Sequence, residues 1–269
     1  MKYWKEFDND FKFNIKGKSS KLCEDIFTFD IETTSILNLD GQMLSASIYQ
    51  DLSKESQEQC EFLAFPYIWQ LGINDNVYYG RTFEELGEFL LLIDRLTNGA
   101  KKIMFVHNLS FEFQFLYSNF EFTNVLARKS RHVMKCNFVD FNFELRCTYL
   151  MSNVALKILA KTYRLPVKKL EGDLDYSIIR NSKTKLSDKE LAYCQNDCLV
   201  VYYYIKMELE TYKSVDRIPL TYTGHVRREL RSRVITNWKY KREVSNSINV
   251  DGHIYNLLVE AFQGRLHTR

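Results

Sequence analysis

The sequence predicts an α/β domain built on a mixed sheet flanked by helices. Short runs rich in β-branched and aromatic residues fill its early part, and two helix-start signatures, Thr82-Phe-Glu-Glu85 and Ser187-Asp-Lys-Glu190, stand further on. A further apolar strand run lies between those two signatures.

Residues 1–22 are Lys-rich and polar and read as a loosely ordered lead or an edge segment. Ile26–Ile31, Met43–Tyr49 and Cys60–Phe65 then read as successive antiparallel strands separated by turn-like stretches. Thr82 opens a helix because its hydroxyl can cap the Glu85 amide while Glu85 reaches back, and Phe83, Leu86, Leu90 and Ile93 follow at helical spacing. Lys102–Val106 is a fourth strand, leading into a helix from about Ser110 to Asn119 that Asn108 or Ser110 can cap. Residues 123–148 read as hairpin material, from the alternation in Phe138-Val-Asp-Phe-Asn-Phe. Ser152–Tyr163 is a short amphipathic helix, and Ser187 opens a long one reaching roughly Tyr212. Beyond it the composition shifts. Arg227, Arg228, Arg231, Arg233, Lys239, Lys241 and Arg242 meet few acids, so a boundary is expected near 213–219, with a tail too short for a complete second domain.

With 269 residues, 45% of them hydrophobic, the chain can bury one large core, alone or with a small appendage. A net charge of +3 leaves any nucleic-acid surface to local clustering. The six cysteines form no Cys-x-x-Cys pair, which points to reduced thiols in a cytoplasmic protein rather than a zinc site. The charged start and the lack of a long apolar run imply a soluble protein with no membrane partner.

Three groups of residues carry chemistry. In Phe27-Thr-Phe-Asp30-Ile-Glu32-Thr-Thr34, residues two apart share a strand face, so Asp30 and Glu32 project together while Phe27, Phe29 and Ile31 point into the interior. Paired carboxylates repel unless neutralised, and a divalent cation is the usual agent. In Val106-His-Asn108-Leu-Ser-Phe111-Glu112, a nearly helical turn puts Asn108 and Glu112 on one face, and Phe111 could stack on an unpaired base. In Tyr193-Cys-Gln-Asn-Asp197, phenol and carboxylate lie one helical turn apart. Each pattern is common alone; their order along one chain is not.

At these residues the sequence resembles the DEDD exonuclease superfamily of ribonuclease H-like fold, in its Tyr subtype. It is more closely similar to the proofreading domain of protein-primed family B DNA polymerases of phages. The matching strings are Phe29-Asp-Ile-Glu-Thr-Thr34, His107-Asn-Leu-Ser-Phe111, Glu171-Gly-Asp-Leu-Asp-Tyr176 and Tyr193-Cys-Gln-Asn-Asp197, spread over roughly 27–200. The resemblance implies a mixed five-stranded sheet flanked by helices over 1–213 and a short helical extension over 214–269. It implies 3′→5′ removal of nucleotides from single-stranded or frayed DNA by two divalent ions, Mg²⁺ or Mn²⁺. Asp30, Glu32, Glu112 and Asp197 would be the ligands, Tyr193 would orient the attacking water, and Tyr176 would lie close to the scissile phosphate. Thr33, Asn108, Phe111, Thr148 and Tyr149 would grip the DNA strand.

Three departures accompany the resemblance. Glu112 stands where the family usually has Asp, and Glu171 where some members place a catalytic Lys, whose role Lys168 or Lys169 could take. The linker reads Phe262-Gln-Gly264-Arg265-Leu266 and the chain stops at Arg269, so a truncated or split polymerase product is expected. A terminal protein or a separate polymerase fragment would be its partner. A free-standing exonuclease on RNA or DNA, and a binding remnant without chemistry, are the other readings.

Overall fold

The computed structural model describes residues 1–19, 21–129, 132–168, 170, 175, 177–234 and 256. The strands are β1 (Lys2–Tyr3), β2 (Ile15–Lys16), β3 (Leu22–Cys23), β4 (Phe27–Leu39), β5 (Gln42–Ser45), β6 (Glu61–Ile73), β7 (Asn76–Gly80), β8 (Lys102–Val106), β9 (Phe122–Ala127), β10 (Val133–Phe138) and β11 (Phe143–Cys147). The helices are α1 (Lys54–Gln59), α2 (Phe83–Leu96), α3 (Leu109–Leu116), α4 (Thr148–Ser152), α5 (Leu156–Thr162), α6 (Asp188–Tyr212) and α7 (Tyr222–Val234). By compactness the chain divides into 1–222 and 223–269.

The mixed sheet is larger than the five strands expected. Among the described residues it holds nine, in the order β1-β7-β6-β4-β8-β11-β10-β9 with β5 also on β4. Strands β4, β6 and β7 form an antiparallel meander, while β8 pairs parallel to β4 and β11 parallel to β8. One face of the sheet buries Phe27, Phe29, Ile31, Trp69 and Leu71 with Leu86, Phe89, Leu90 and Ile93 of α2. Ile103 and Phe105 of β8 instead cluster with Leu159 of α5 and with Val200, Val201, Tyr204 and Ile205 of α6. Helices therefore cover both faces, as a central strand buried on two sides requires.

Four expectations are amended by the structure. The three expected antiparallel strands are present as β4, β5 and β6, but a further one, β7, follows them, because Asn74 takes a left-handed conformation (φ 55°) that turns the chain after Ile73 and lets Val77–Gly80 pair back on β6. The run 43–49 is mostly not strand: β5 ends at Ser45, whose side chain caps a 3₁₀ turn over Ala46–Asp51. Of the two readings of the N-terminal segment the edge one holds, since Lys2 and Tyr3 pair parallel with β7 at the edge of the sheet and Trp4 and Phe7 are buried against Phe89. Finally, 152–163 is not one helix. Asn153 adopts the left-handed conformation, ending α4, and α5 starts three residues later.

A buried ionic cluster ties the end of α6 to the sheet. Glu144 of β11 accepts from Lys101 Nζ (2.8 Å) and Arg146 Nε (2.6 Å). Arg146 Nη1 in turn donates to the carbonyls of Val215, Asp216 and Ile218 at 3.2–3.3 Å. Burial alone would raise the Glu144 carboxyl, but the Lys101 and Arg146 cations overcome it and hold the carboxyl below its ordinary range. Replacing Glu144 with Gln strands a buried guanidinium and is expected to cost about 3 kcal/mol in urea unfolding at neutral pH. Because the folded carboxyl is depressed, the wild-type advantage is full above the ordinary Glu range and shrinks as pH falls through the lower folded value.

Candidate active site

The alternation of β4 builds the first part of the site. Phe27, Phe29 and Ile31 are buried on the α2 side, so Asp30 and Glu32, both half-buried, lie on the opposite side of the strand. Helix α6 packs across β4 and β6. Its start is fixed by Ser187 Oγ, which accepts from the Glu190 amide at 3.3 Å while Glu190 accepts from the Ser187 amide. Tyr193, Cys194, Asp197, Cys198 and Val201 form its buried stripe. Oxygens of Asp30, Glu32 and Asp197 thereby come within 4.8 Å of one another.

Close packing makes this possible. A Cβ at Gly72 of β6 would lie 2.2 Å from Thr28 Oγ1, so only glycine fits opposite Thr28 beneath Cys198. The two thiols report the local field: burial pushes Cys194 and Cys198 up, and the charges of Asp30 and Asp197 push in the same direction.

Glu112 completes the acidic group from α3. It is buried, its Oε2 has no hydrogen-bond partner, and burial followed by the charge of Glu32 raises its carboxyl well above the ordinary value. It lies outside the set of three carboxylates that approach within 4.8 Å. The turn leading to α3 differs from expectation. Asn108 is left-handed (φ 65°) and its side chain makes no cap, so it is not in a helical register with Glu112. Ser110 does not cap either, because its Oγ accepts from the Val133 amide at 2.8 Å.

The other sequence-derived residues separate. Thr33 and Phe111 line, with Glu32, a cavity of about 360 Å³, and the Phe111 ring is exposed. Asn108 and Tyr149 are also exposed, with Tyr149 edge-on to His107 at 5.9 Å. Thr148 is fully buried and its Oγ1 lies 3.0 Å from His107 Nδ1, so it holds His107 rather than facing solvent. Tyr193 is buried beside Tyr67 and Ile68. Tyr176, Glu171 and Lys169 lie outside the described residues.

Two residues were not anticipated. Gln70 pairs with Asp30 in the β4–β6 register and is fully buried. In the amide orientation that satisfies both its ends, its nitrogen donates to the Asp30 carbonyl (2.8 Å) and to Asp30 Oδ2 (3.3 Å). Arg180 lines the cavity and is buried, its amide donating to Thr34 Oγ1 (2.9 Å) and its Nε to Glu190 (2.8 Å). The available signal for Gln70 was one polar residue inside the apolar run Tyr67–Ile73.

The donor set fits a hard divalent cation: it is all carboxylate oxygen, it is crowded, and Glu112 adds a buried oxygen lacking a partner. Asp30, Glu32 and Asp197 could hold such an ion directly, with Glu112 next to Glu32.

The chain is similar in structure to phi29 DNA polymerase. Against that polymerase complexed with primer-template DNA and incoming nucleotide substrates, the TM-score is 0.49 at 15% identity, covering 70% of this chain and 31% of the other. Against the same polymerase complexed with single-stranded DNA, the TM-score is 0.48 at 16% identity, covering 70% and 32%. The chain thus spans about a third of the length of the solved structures it matches. No protein-family model matches it, and no curated protein does.

Two outcomes are expected from the geometry. In thermal melts, Mn²⁺ raises the midpoint of the wild type. Asp197→Asn raises the metal-free midpoint by relieving repulsion and abolishes the Mn²⁺ increment. Gln70→Met, which loosens Asp30 without removing a ligand, lowers Mn²⁺ affinity by about 10–100-fold in calorimetric titration.

Proposed function

We propose that residues 1–213 form a 3′→5′ exonuclease domain of ribonuclease H-like fold, the proofreading part of a protein-primed family B DNA polymerase, with 214–269 as the incomplete start of the polymerase region. The observation that carries this reading is the convergence of Asp30, Glu32 and Asp197 within 4.8 Å, with Glu112 buried next to Glu32. The meander β4-β6-β7 continued in parallel by β8 and β11 supports the fold assignment, with the first acids on the central strand.

Asp30, Glu32, Glu112 and Asp197 would hold two divalent ions, Mg²⁺ or Mn²⁺, which would supply Lewis acidity and a nucleophile usable at neutral pH. The side chains do the rest. Gln70 fixes Asp30, so that the carboxylate keeps its angle to the strand. Tyr193, one turn before Asp197 on the same buried stripe, orients the attacking water by hydrogen bonding. Phe111 stacks on a terminal base, and Thr33, Asn108 and Tyr149 flank the strand. Thr148 acts through His107. Tyr176 retains the role near the scissile phosphate that the sequence suggests. A second reading, binding without hydrolysis, is favoured by one observation: Glu112 lies outside the group of three.

The test is digestion of matched DNA and RNA 20-mers labelled at either end. With Mg²⁺, the wild type is expected to shorten single-stranded DNA from the 3′ end, releasing mononucleotides. Asp30→Ala is expected to lose at least about a thousandfold in rate. Undiminished digestion by Asp30→Ala, or shortening from the 5′ end, would overturn the assignment. Binding by the wild type with no Mg²⁺-dependent product would favour the second reading.

A further inference from the structure

Residues 177–180, ahead of α6, enter the candidate site through Ile178 and Arg180, which line the cavity that Glu32, Thr33 and Phe111 also line. Ile178 is 49% exposed, whereas Arg180 is only 4% exposed. An arginine at the edge of a nuclease-like site invites reading as a phosphate clamp. Its hydrogen bonds point elsewhere. Nε donates to Glu190 Oε1 at 2.8 Å and Nη2 lies 2.6 Å from Glu190 Oε1, while Nη1 donates to the carbonyls of Asp175 (2.6 Å) and Ile178 (3.3 Å). The guanidinium also lies over the Tyr67 ring, 5.8 Å from its centroid. Its charge is matched by Glu190 and its donors hold main chain.

Glu190 links this fork to the catalytic helix. Its Oε2 accepts from the Ser187 amide (2.7 Å) and hydroxyl (2.8 Å), so one carboxylate both closes the start of α6 and receives Arg180. Burial would raise the Glu190 carboxyl, but the bonds from Ser187 and Arg180 hold it below its ordinary value. Glu190, Tyr193 and Asp197 stand at i, i+3 and i+7, on one helix face. Two further bonds fasten the stretch to the sheet. The Arg180 amide donates to Thr34 Oγ1 (2.9 Å), two residues beyond Glu32 on β4. Arg81 Nη2 donates to the Asn181 carbonyl (2.8 Å) while its Nε donates to the Tyr67 carbonyl (2.7 Å). Stability alone is a weak reason for a buried Arg–Glu pair, because desolvation offsets much of its attraction. What this pair fixes is the place of Ile178.

We propose that Arg180 is a positioning residue for the terminal nucleotide: it holds Ile178 as a wall of the cavity beside Glu32, and Ile178 makes apolar contact with the terminal base. The proposal rests on the exonuclease reading for the identity of that ligand. A nucleotide matches the mixed chemistry of the place, since Phe111 and Ile178 offer exposed apolar surface to a base while the neighbouring carboxylates suit the cation that a phosphate needs.

The experiment uses the full chain, a DNA trinucleotide labelled with fluorescein at its 5′ end and titrated in Ca²⁺, and Mg²⁺-dependent digestion of a labelled single-stranded DNA 20-mer. Ile178→Ala is expected to weaken trinucleotide binding about five- to tenfold, as loss of an apolar contact implies. Arg180→Lys keeps a cation for Glu190 but lacks the fork that also reaches the two carbonyls, and it lowers affinity about as much. Glu190→Gln, which keeps an acceptor for Ser187, does the same and serves as the second variant if Arg180→Lys does not fold. Combining Ile178→Ala with either is expected to change affinity by less than about twofold beyond the Arg180 or Glu190 variant alone, the non-additivity of residues that act as one. The Mn²⁺ increment in thermal midpoint stays at its wild-type size throughout, and its loss in Arg180→Lys and Glu190→Gln would overturn the proposal by showing that α6 itself had moved. Wild-type affinity in Ile178→Ala, or in both Arg180→Lys and Glu190→Gln, would also overturn it, as would a wild type that binds no trinucleotide. If the wild type digests 3′ ends but the separate losses multiply in the double variants, only this proposal falls. If the wild type digests nothing and the losses do not multiply, the wall stands and the exonuclease reading falls.

Discussion

Crowding of like charge is the constraint from which the rest of this structure follows. Three carboxylates with oxygens within 4.8 Å repel by about 3–4 kcal/mol per pair at an effective dielectric near 20, less where solvent screens Asp30 and Glu32. Net stability of a domain is on the order of 5–15 kcal/mol, so three such pairs are a large fraction of it. A fold keeps such an arrangement only if the scaffold forces it and a cation or a proton relieves it. Glu112 illustrates the second route, since burial and Glu32 favour its protonated form in the absence of a cation.

The scaffold does force it. Asp30 sits on the central strand, paired with Gln70 of antiparallel β6 and directly following Phe27–Phe29, which pair with parallel β8, so its backbone is restrained. Gln70 holds its side chain, and Gly72, Cys194 and Cys198 are small enough to let α6 settle close over β4. At the far end of α6, Arg146 and Glu144 pin the following segment to β11, and Ser214 Oγ donates to Glu24 at 2.7 Å. Asp197 thus belongs to a helix anchored at both ends, by a capping box and by a buried ion cluster.

Much of this was legible in the sequence, for physical reasons. The alternation Phe27, Phe29, Ile31 against Asp30, Glu32 fixes which face the acids take, and Ser187 with Glu190 fixes where α6 begins and so the phase of Tyr193 and Asp197. What stayed hidden depends on pairing between distant segments. Gln70 meets Asp30 only through strand register, and Trp4 and Phe7 enter the core only because β7 offers an edge to Lys2 and Tyr3. Left-handed asparagines at 74, 108 and 153 redirected three expected elements, and no propensity scale assigns that conformation to a given Asn. Among the described residues, no helix is long and apolar enough to cross a membrane.

The most direct measurement is anomalous diffraction from crystals soaked in Mn²⁺, which locates the cation without reference to any substrate. A peak is expected at ligand distance from both the Asp30 and the Asp197 carboxylates, since only a cation shared between β4 and α6 relieves their approach. A soak that gives no peak there, or one at exposed carboxylates elsewhere, would contradict the central claim.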